Sequence, residues 1–104
     1  MNDIIFEIKN QITDVISNGI KNIGNSLNVD EALIEAAAQT EIETEIPKEK
    51  SHGDFSSNIA MKLTKVLRNS PQNIANALIA EIKTDGTYIE KIEIAGPGFI
   101  NITF

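Results

Sequence analysis

The stretch that most constrains the fold lies at the end of the chain, where residues 92–104 read I-E-I-A-G-P-G-F-I-N-I-T-F. Two runs rich in isoleucine and phenylalanine flank the tripeptide Gly96-Pro97-Gly98. Branched and aromatic residues favour strands, whereas glycine and proline favour tight turns. The stretch therefore predicts a β-hairpin in which Gly96, Pro97 and Gly98 form the structural turn.

The second strand of this hairpin alternates between two kinds of side chain. Because successive side chains of a strand point to opposite faces, Ile100, Ile102 and Phe104 share an apolar face that should enter the core. Phe99 and Asn101 share the other face. An aromatic ring can stack on a base, and an amide can recognise a base edge through paired hydrogen bonds. We therefore expect Phe99 and Asn101 to project together into solvent as a surface suited to a nucleotide base.

The preceding residues predict amphipathic helices that support the hairpin. Apolar residues recur at helical spacing from Ile5 to Ile23, and we expect this stripe to face the core of the domain rather than a partner helix or a membrane. Asp54 is predicted to be the N-terminal helix cap of a later helix, and Ser70 that of the helix which Pro71 begins. The further helices are predicted over residues 30–39, 55–69 and 71–82.

Two further segments predict strands. Residues 40–46 alternate glutamates with Ile42, Thr44 and Ile46, as a half-buried strand would, and residues 88–95 precede the hairpin turn. Glutamates in such a row could suggest a metal site, but a solvated strand face explains them, and we expect no metal. The order of elements predicts an α+β fold, a small antiparallel sheet with amphipathic helices packed on one face, in a single domain over residues 1–104.

Charge limits the kind of partner that the chain can bind. The formal net charge is −6, and residues 1–46 carry two basic against nine acidic side chains, whereas residues 47–104 carry seven against six. Any RNA contact should therefore be local and lie in the second half, and we expect no DNA partner. The chain has no cysteine, no basic leader and no apolar run of about 18 residues, so we expect a cytoplasmic protein without a membrane partner.

Three short motifs suggest chemistry that their context argues against. His52, Asp54, Ser56 and Ser57 include the residue types of a hydrolase triad, but they crowd one junction, whereas a triad needs groups from separated segments. We expect His52 to anchor its loop by a hydrogen bond. The Gly-x-Gly of the hairpin precedes a strand rather than the helix of a dinucleotide fingerprint. Asn101 also begins a glycosylation acceptor, which matters only in secreted proteins. We predict no catalytic residues.

Three pieces of the sequence together resemble a known family. His52-Gly53-Asp54-Phe55, the segment Pro71 to Ala75, and the segment Glu93 to Asn101 follow one another as in the N-terminal extension of bacterial arginyl-tRNA synthetases. The resemblance implies a class I aminoacyl-tRNA synthetase that uses ATP, with magnesium, to attach arginine to tRNA-Arg. It also implies that the N-terminal domain contacts the D-loop at the outer corner of tRNA-Arg. Phe99 and Asn101 stand where that family places an aromatic residue and an asparagine against a D-loop base.

Class I catalysis needs segments of the H-I-G-H and K-M-S-K-S types, and these 104 residues contain neither. We therefore expect a domain fragment that binds no cofactor itself and whose partners are tRNA-Arg and the catalytic domain of the same polypeptide. The alternative is a structural or protein-interaction module without direct RNA contact, in which Phe99 is a packing residue.

Overall fold

The long apolar stripe near the N-terminus forms helix α1, Asp3–Asn22, in the computed structural model, which describes residues 3–49 and 52–104. Ile12, Ile16 and Ile20 on this stripe are fully buried in a hydrophobic core that also includes side chains from the sheet. The expectation that the stripe faces the domain's own core is therefore confirmed along most of the helix. No helix within the described residues is both long and apolar enough to cross a membrane.

The remaining elements follow in short succession along the chain. They are α2 (Gly24–Leu27), α3 (Glu31–Ala38), β1 (Phe55–Ser57), α4 (Ile59–Lys62), α5 (Thr64–Leu67), α6 (Pro71–Glu81), β2 (Lys91–Ala95) and β3 (Phe99–Thr103). The helices predicted to begin after Asp30 and Ser70 are confirmed as α3 and α6. The Ser70 hydroxyl accepts a hydrogen bond from the Asn73 N–H at 3.1 Å, and Pro71 occupies the first helical position.

The three strands form one antiparallel sheet in the order β1-β3-β2. In this register Ile102 of β3 lies between Phe55 of β1 and Ile92 of β2. Ile100 and Ile102 are fully buried, since the side of the sheet on which they lie is covered by helices. The predicted α+β fold, with a small antiparallel sheet and helices on one face, is confirmed.

The strand predicted over residues 40–46 is wrong. Only Glu45 of this segment pairs, through two backbone hydrogen bonds of 2.7 and 2.8 Å with Ser56. Ile46, which was expected to be half-buried, is 70% exposed. The segment can add only one bridge to the sheet because its neighbour β1 is three residues long and offers few free backbone groups.

The assignment of Asp54 as a helix cap is also wrong. Residues 55–57 form β1 instead of the first turn of a helix, and α4 begins at Ile59. The Asp54 carboxylate accepts a hydrogen bond from the Phe104 N–H at 3.0 Å and so holds the end of β3. The Ser57 hydroxyl accepts the Ile59 N–H at 3.2 Å. The extended conformation prevails because it buries the ring of Phe55 and pairs its backbone with β3, whereas the cap is a local preference.

The first strand of the hairpin begins at Lys91, later than the predicted start at residue 88. The Tyr88 N–H donates to the side-chain oxygen of Gln11 on α1 at 2.9 Å, so this segment is attached to the helix before it enters the sheet. The sequence from Tyr88 onward does not distinguish residues that are attached to α1 from residues that pair in the sheet.

Substitution by alanine should destabilise the protein more at Gly98, in the hairpin turn, than at Gly86, which lies before β2. Gly98 has a φ of +146°, and a Cβ atom there would lie 2.8 Å from Cβ of Pro71, whereas Gly86 has a φ of +76° and open space around it. Gly86→Ala should cost about 1–2 kcal/mol of unfolding free energy from the backbone conformation alone. Gly98→Ala should cost about 1–3 kcal/mol more, because the added methyl group forces the turn away from α6. Urea unfolding followed by circular dichroism measures both, and equal losses would contradict the close packing.

Candidate nucleic-acid interface

The candidate interface is the face of β3 that points away from the helices. Alternation along the strand places Phe99 and Asn101 on this face, opposite the buried Ile100 and Ile102. Phe99 lies next to the turn, opposite Ala95, and its side chain is 41% exposed. The prediction of an exposed aromatic ring on the outer face is therefore confirmed.

Asn101 differs from the prediction in its exposure. It lies on the outer face as expected, but it is only 8% exposed rather than projecting into solvent. The reason is its place in the middle of the central strand, where Ser56 of β1 and Glu93 of β2 flank it in register. Within the described residues, the side chain of Asn101 makes no hydrogen bond. Every fully buried side-chain nitrogen or oxygen in these residues has a partner. Asn101 nevertheless lines the groove on this outer face.

Phe99 and Asn101 line a groove with a volume of about 400 Å³ on this outer face. The edge segment that carries Glu45 supplies one wall, and the hairpin turn supplies the other. The residues that line it are Glu45, Pro47, His52, Ser56, Ala95, Gly96, Pro97, Phe99 and Asn101. An open groove of this size, with a ring on its wall and an amide on its floor, can hold one planar group with polar edges.

The charges near the groove are mainly acidic. Glu45 lines it, and Glu93 lies beside Asn101 on β2, where its carboxylate pairs with Lys91 at 3.2 Å. On the segment before the groove, Glu43 pairs with Lys62 at 3.0 Å. Exposed pairs of this kind contribute little stability, but they neutralise two of the carboxylates. The Glu45 carboxylate on the groove wall disfavours a phosphate group in the groove and is compatible with a base that donates hydrogen bonds.

The start of α6 holds the turn that carries Phe99. The close approach of Gly98 to Pro71 leaves no room for a side chain, and the Gln72 side-chain N–H donates to the Gly96 carbonyl at 3.4 Å. Because Ser70 and Pro71 fix the first turn of α6, the position of the hairpin follows from the position of that helix. Two segments that are distant in sequence are thus one structural unit.

Comparison with known proteins agrees with this architecture. The sequence model of the family described as arginyl tRNA synthetase N terminal domain matches residues 7–104. The chain belongs to this family.

Similar proteins include arginine–tRNA ligases from several bacteria. That of Ruminiclostridium cellulolyticum is 45% identical over 103 residues, which cover 99% of this chain and 17% of that protein. That of Acetivibrio thermocellus is 40% identical over 101 residues, which cover 97% of this chain and 17% of that protein. That of Listeria monocytogenes serotype 4a is 50% identical over 68 residues, or 65% of this chain. The chain thus spans about a sixth of the length of the first two relatives.

The structure gives physical roles to the His-Gly-Asp-Phe segment of this synthetase-family domain. Gly53 has a φ of +88°, and a Cβ atom there would lie 2.9 Å from the Ile102 carbonyl oxygen. The Asp54 N–H donates to the same carbonyl at 2.8 Å, and the Asp54 carboxylate holds Phe104. Phe55 then enters the core. The segment therefore attaches to β3 and supports the strand that carries the groove.

His52 was not predicted to belong to the groove. It was expected to anchor its loop by a hydrogen bond, and its backbone N–H does donate to the Glu49 carbonyl at 3.0 Å, while the exposed residue also lines the groove. The sequence analysis did not place His52 in the groove because Asp54, two residues later, suggested the start of a helix. The pairing of residues 55–57 with β3 would have indicated where His52 lies. Two of the triad residues have structural roles, since the Asp54 carboxylate accepts the Phe104 N–H and the buried Ser57 hydroxyl accepts the Ile59 N–H. The described residues contain no group of three or more side chains able to hold a metal ion.

The orientation of β3 predicts losses of stability of very different size at two neighbouring positions. Ile100→Ala should lower the unfolding free energy by about 2–5 kcal/mol, because it removes a fully buried side chain. Phe99→Ala should lower it by no more than about 1 kcal/mol, since Phe99 lies on the outer face and outside the hydrophobic core. Urea unfolding of the two variants measures the difference. A loss at Phe99 as large as that at Ile100 would show that the ring is a packing residue.

Proposed function

We propose that this chain is the tRNA-contacting domain of an arginine–tRNA ligase and that its groove receives one base of the D-loop of tRNA-Arg. The single observation that carries the proposal is the exposed ring of Phe99 beside the amide of Asn101 in one groove. Family membership supports it, since the curated relatives are named arginine–tRNA ligases.

The two side chains would have different tasks. Stacking of a base on the Phe99 ring would contribute about 1–3 kcal/mol and would tolerate any base, because every base has a π-face. Asn101 would select among bases, since an asparagine amide pairs with the adenine edge through two hydrogen bonds. Its position on the groove floor favours selection, because a base without matching groups would leave a poorly solvated amide unpaired.

The acidic surroundings support a contact through the base rather than through the backbone. Glu45 on the groove wall would repel phosphate groups, and the chain as a whole carries a net charge of −6. Little affinity would therefore come from phosphate neutralisation. The domain would act as an auxiliary reader that helps to orient a tRNA held mainly by other parts of the protein.

The chemical steps would belong to the remainder of the polypeptide. In the full-length ligase, ATP with magnesium and arginine would bind the catalytic domain, which would form the adenylate and charge tRNA-Arg in the cytoplasm. This domain would bind no cofactor and supply no catalytic group. Its contribution would appear in the concentration of tRNA needed for half-maximal rate.

Substitution in the groove should impair tRNA use selectively. In the full-length ligase, Phe99→Ala should raise the KM for tRNA-Arg about 5- to 150-fold, the equivalent of one lost stacking contact. Asn101→Ala should raise it in the same direction, while the KM values for ATP and arginine stay unchanged. Steady-state aminoacylation with each substrate varied in turn measures these values.

Tyr88→Ala provides a matched control, because Tyr88 is an exposed aromatic residue that precedes β2, whereas the hairpin turn follows β2. It should leave the KM for tRNA-Arg unchanged. Wild-type kinetics in both groove variants would refute the site assignment. D-loop protection in tRNA footprinting that survives both substitutions would favour the alternative, a structural or protein-interaction module.

The proposal also predicts how salt affects binding. The logarithm of the tRNA association constant should fall linearly with the logarithm of salt concentration, with the same slope for wild type and Phe99→Ala. The two lines should be parallel and displaced, since the ring carries no charge and releases no counterions. Filter binding of tRNA-Arg to the full-length ligase at several salt concentrations measures the slopes. A changed slope would mean that Phe99→Ala disturbs phosphate contacts.

A further inference from the structure

Exposed apolar side chains gather at the end of β3 opposite the hairpin turn, and the proposed tRNA contact does not use them. They are Ile5 and Phe6 of α1, Ile46 before β1, and Phe104 after β3, which we call the Phe104 corner. Phe6 is 69% exposed, although it is a large aromatic residue. Single exposed apolar residues are ordinary, but a contiguous group indicates an interaction surface.

The residues of the Phe104 corner lie around the buried ring of Phe55. Phe104 stacks on it with ring centroids 5.4 Å apart, and the Lys9 ammonium lies 5.8 Å from its centre. Ile5 lies one helical turn before Lys9 and therefore on the same side of α1. Antiparallel pairing of Glu45 with Ser56 places the next residue, Ile46, beside Phe55 on the other side.

The corner continues the core stripe of α1 beyond the end of the core. Ile8 and Ile12 are buried in the hydrophobic core, whereas Ile5, one turn earlier on the same stripe, is exposed. Nothing in the described part of the domain covers this last turn. A stripe that runs past its own core requires a further surface to bury it.

We propose that the Phe104 corner is the docking surface for the polypeptide that follows Phe104, the remainder of the ligase. The family describes an N-terminal domain, and the chain spans only 17% of the length of similar ligases, so the rest of such a protein lies downstream. Phe104 belongs to the corner, so a continuing chain leaves the domain there. A covalently attached neighbour has a high effective concentration and needs little intrinsic affinity.

A second copy of the domain fits the corner less well. Stable association of separate chains buries about 800 Å² on each partner, and four exposed side chains at one corner provide less apolar surface than such an interface requires. The proposal rests on family membership and not on the tRNA contact, since none of the four residues of the Phe104 corner lines the groove.

Thiol labelling of the full-length ligase tests the proposal, because residues 1–104 contain no cysteine. Phe6→Cys and Ile46→Cys place a thiol in the corner, and both positions are exposed, so the domain should fold with either substitution. Ser26→Cys is the control, at an exposed position of α2 beyond the far end of α1, about 24 Å or more away by helix rise. Peptide mass spectrometry measures the rate at which iodoacetamide alkylates each thiol. The rate in the folded ligase is then divided by the rate in denaturant.

The thiols at positions 6 and 46 should react at least about tenfold more slowly in the folded ligase than in denaturant, and the Ser26→Cys thiol should react at a nearly unchanged rate. Corner thiols that react as fast as the control would overturn the proposal. If dilution of the ligase removes the protection of the corner thiols, the proposal is overturned and a second copy of the protein covers the corner instead. Neither result would alter the test of the groove, which depends on the KM for tRNA-Arg.

Discussion

The pairing of β3 on both of its edges is the interaction on which the rest of the structure depends. Backbone hydrogen bonds to β1 and β2 satisfy the central strand, and its two inward isoleucines complete the core beneath the helices. The same pairing surrounds the outward Asn101 with Ser56 and Glu93 and so forms the floor of the groove. Core and candidate site are therefore two faces of one strand, and neither can move without the other.

Separate parts of the chain converge on this strand through close backbone contacts. Gly53 approaches the Ile102 carbonyl, and Gly98 approaches Pro71, each at a distance that excludes a side chain. The hydrogen bond from Phe104 to Asp54 closes the far end of β3. These contacts give short segments that lie far apart in the sequence a common role, because each one positions the same strand. Their function is to hold the ring of Phe99 and the amide of Asn101 in fixed relation.

The strand also separates two surfaces of different chemistry. At the turn, the groove combines a ring and an amide with nearby carboxylates, an arrangement that suits a base and disfavours a phosphate. At the other end, the Phe104 corner is apolar and surrounds the buried Phe55 ring. β3 is only five residues long, about 17 Å, so the two proposed surfaces lie on one short, rigid element. If both proposals hold, a base bound in the groove has a fixed position relative to the rest of the ligase.

The sequence by itself determined the features that depend on local periodicity. The spacing of isoleucines predicted α1, the Ser-Pro pair predicted the start of α6, and the glycines predicted the hairpin turn. Alternation along β3 correctly divided Ile100 and Ile102 from Phe99, because the period of a strand fixes which side chains share a face. Phe104, which was expected on the buried face, lies beyond the end of β3 and is 40% exposed.

Tertiary structure alone decided which segments pair with which. β1 is three residues long, too short for a periodic signal, and its pairing with β3 overrode the local preference of Asp54 for a helix start. The same pairing reduced residues 40–46 to a single bridge and covered Asn101, which the sequence had placed in solvent. Burial on a sheet depends on the neighbours of a strand, and these neighbours come from residues that are distant along the chain.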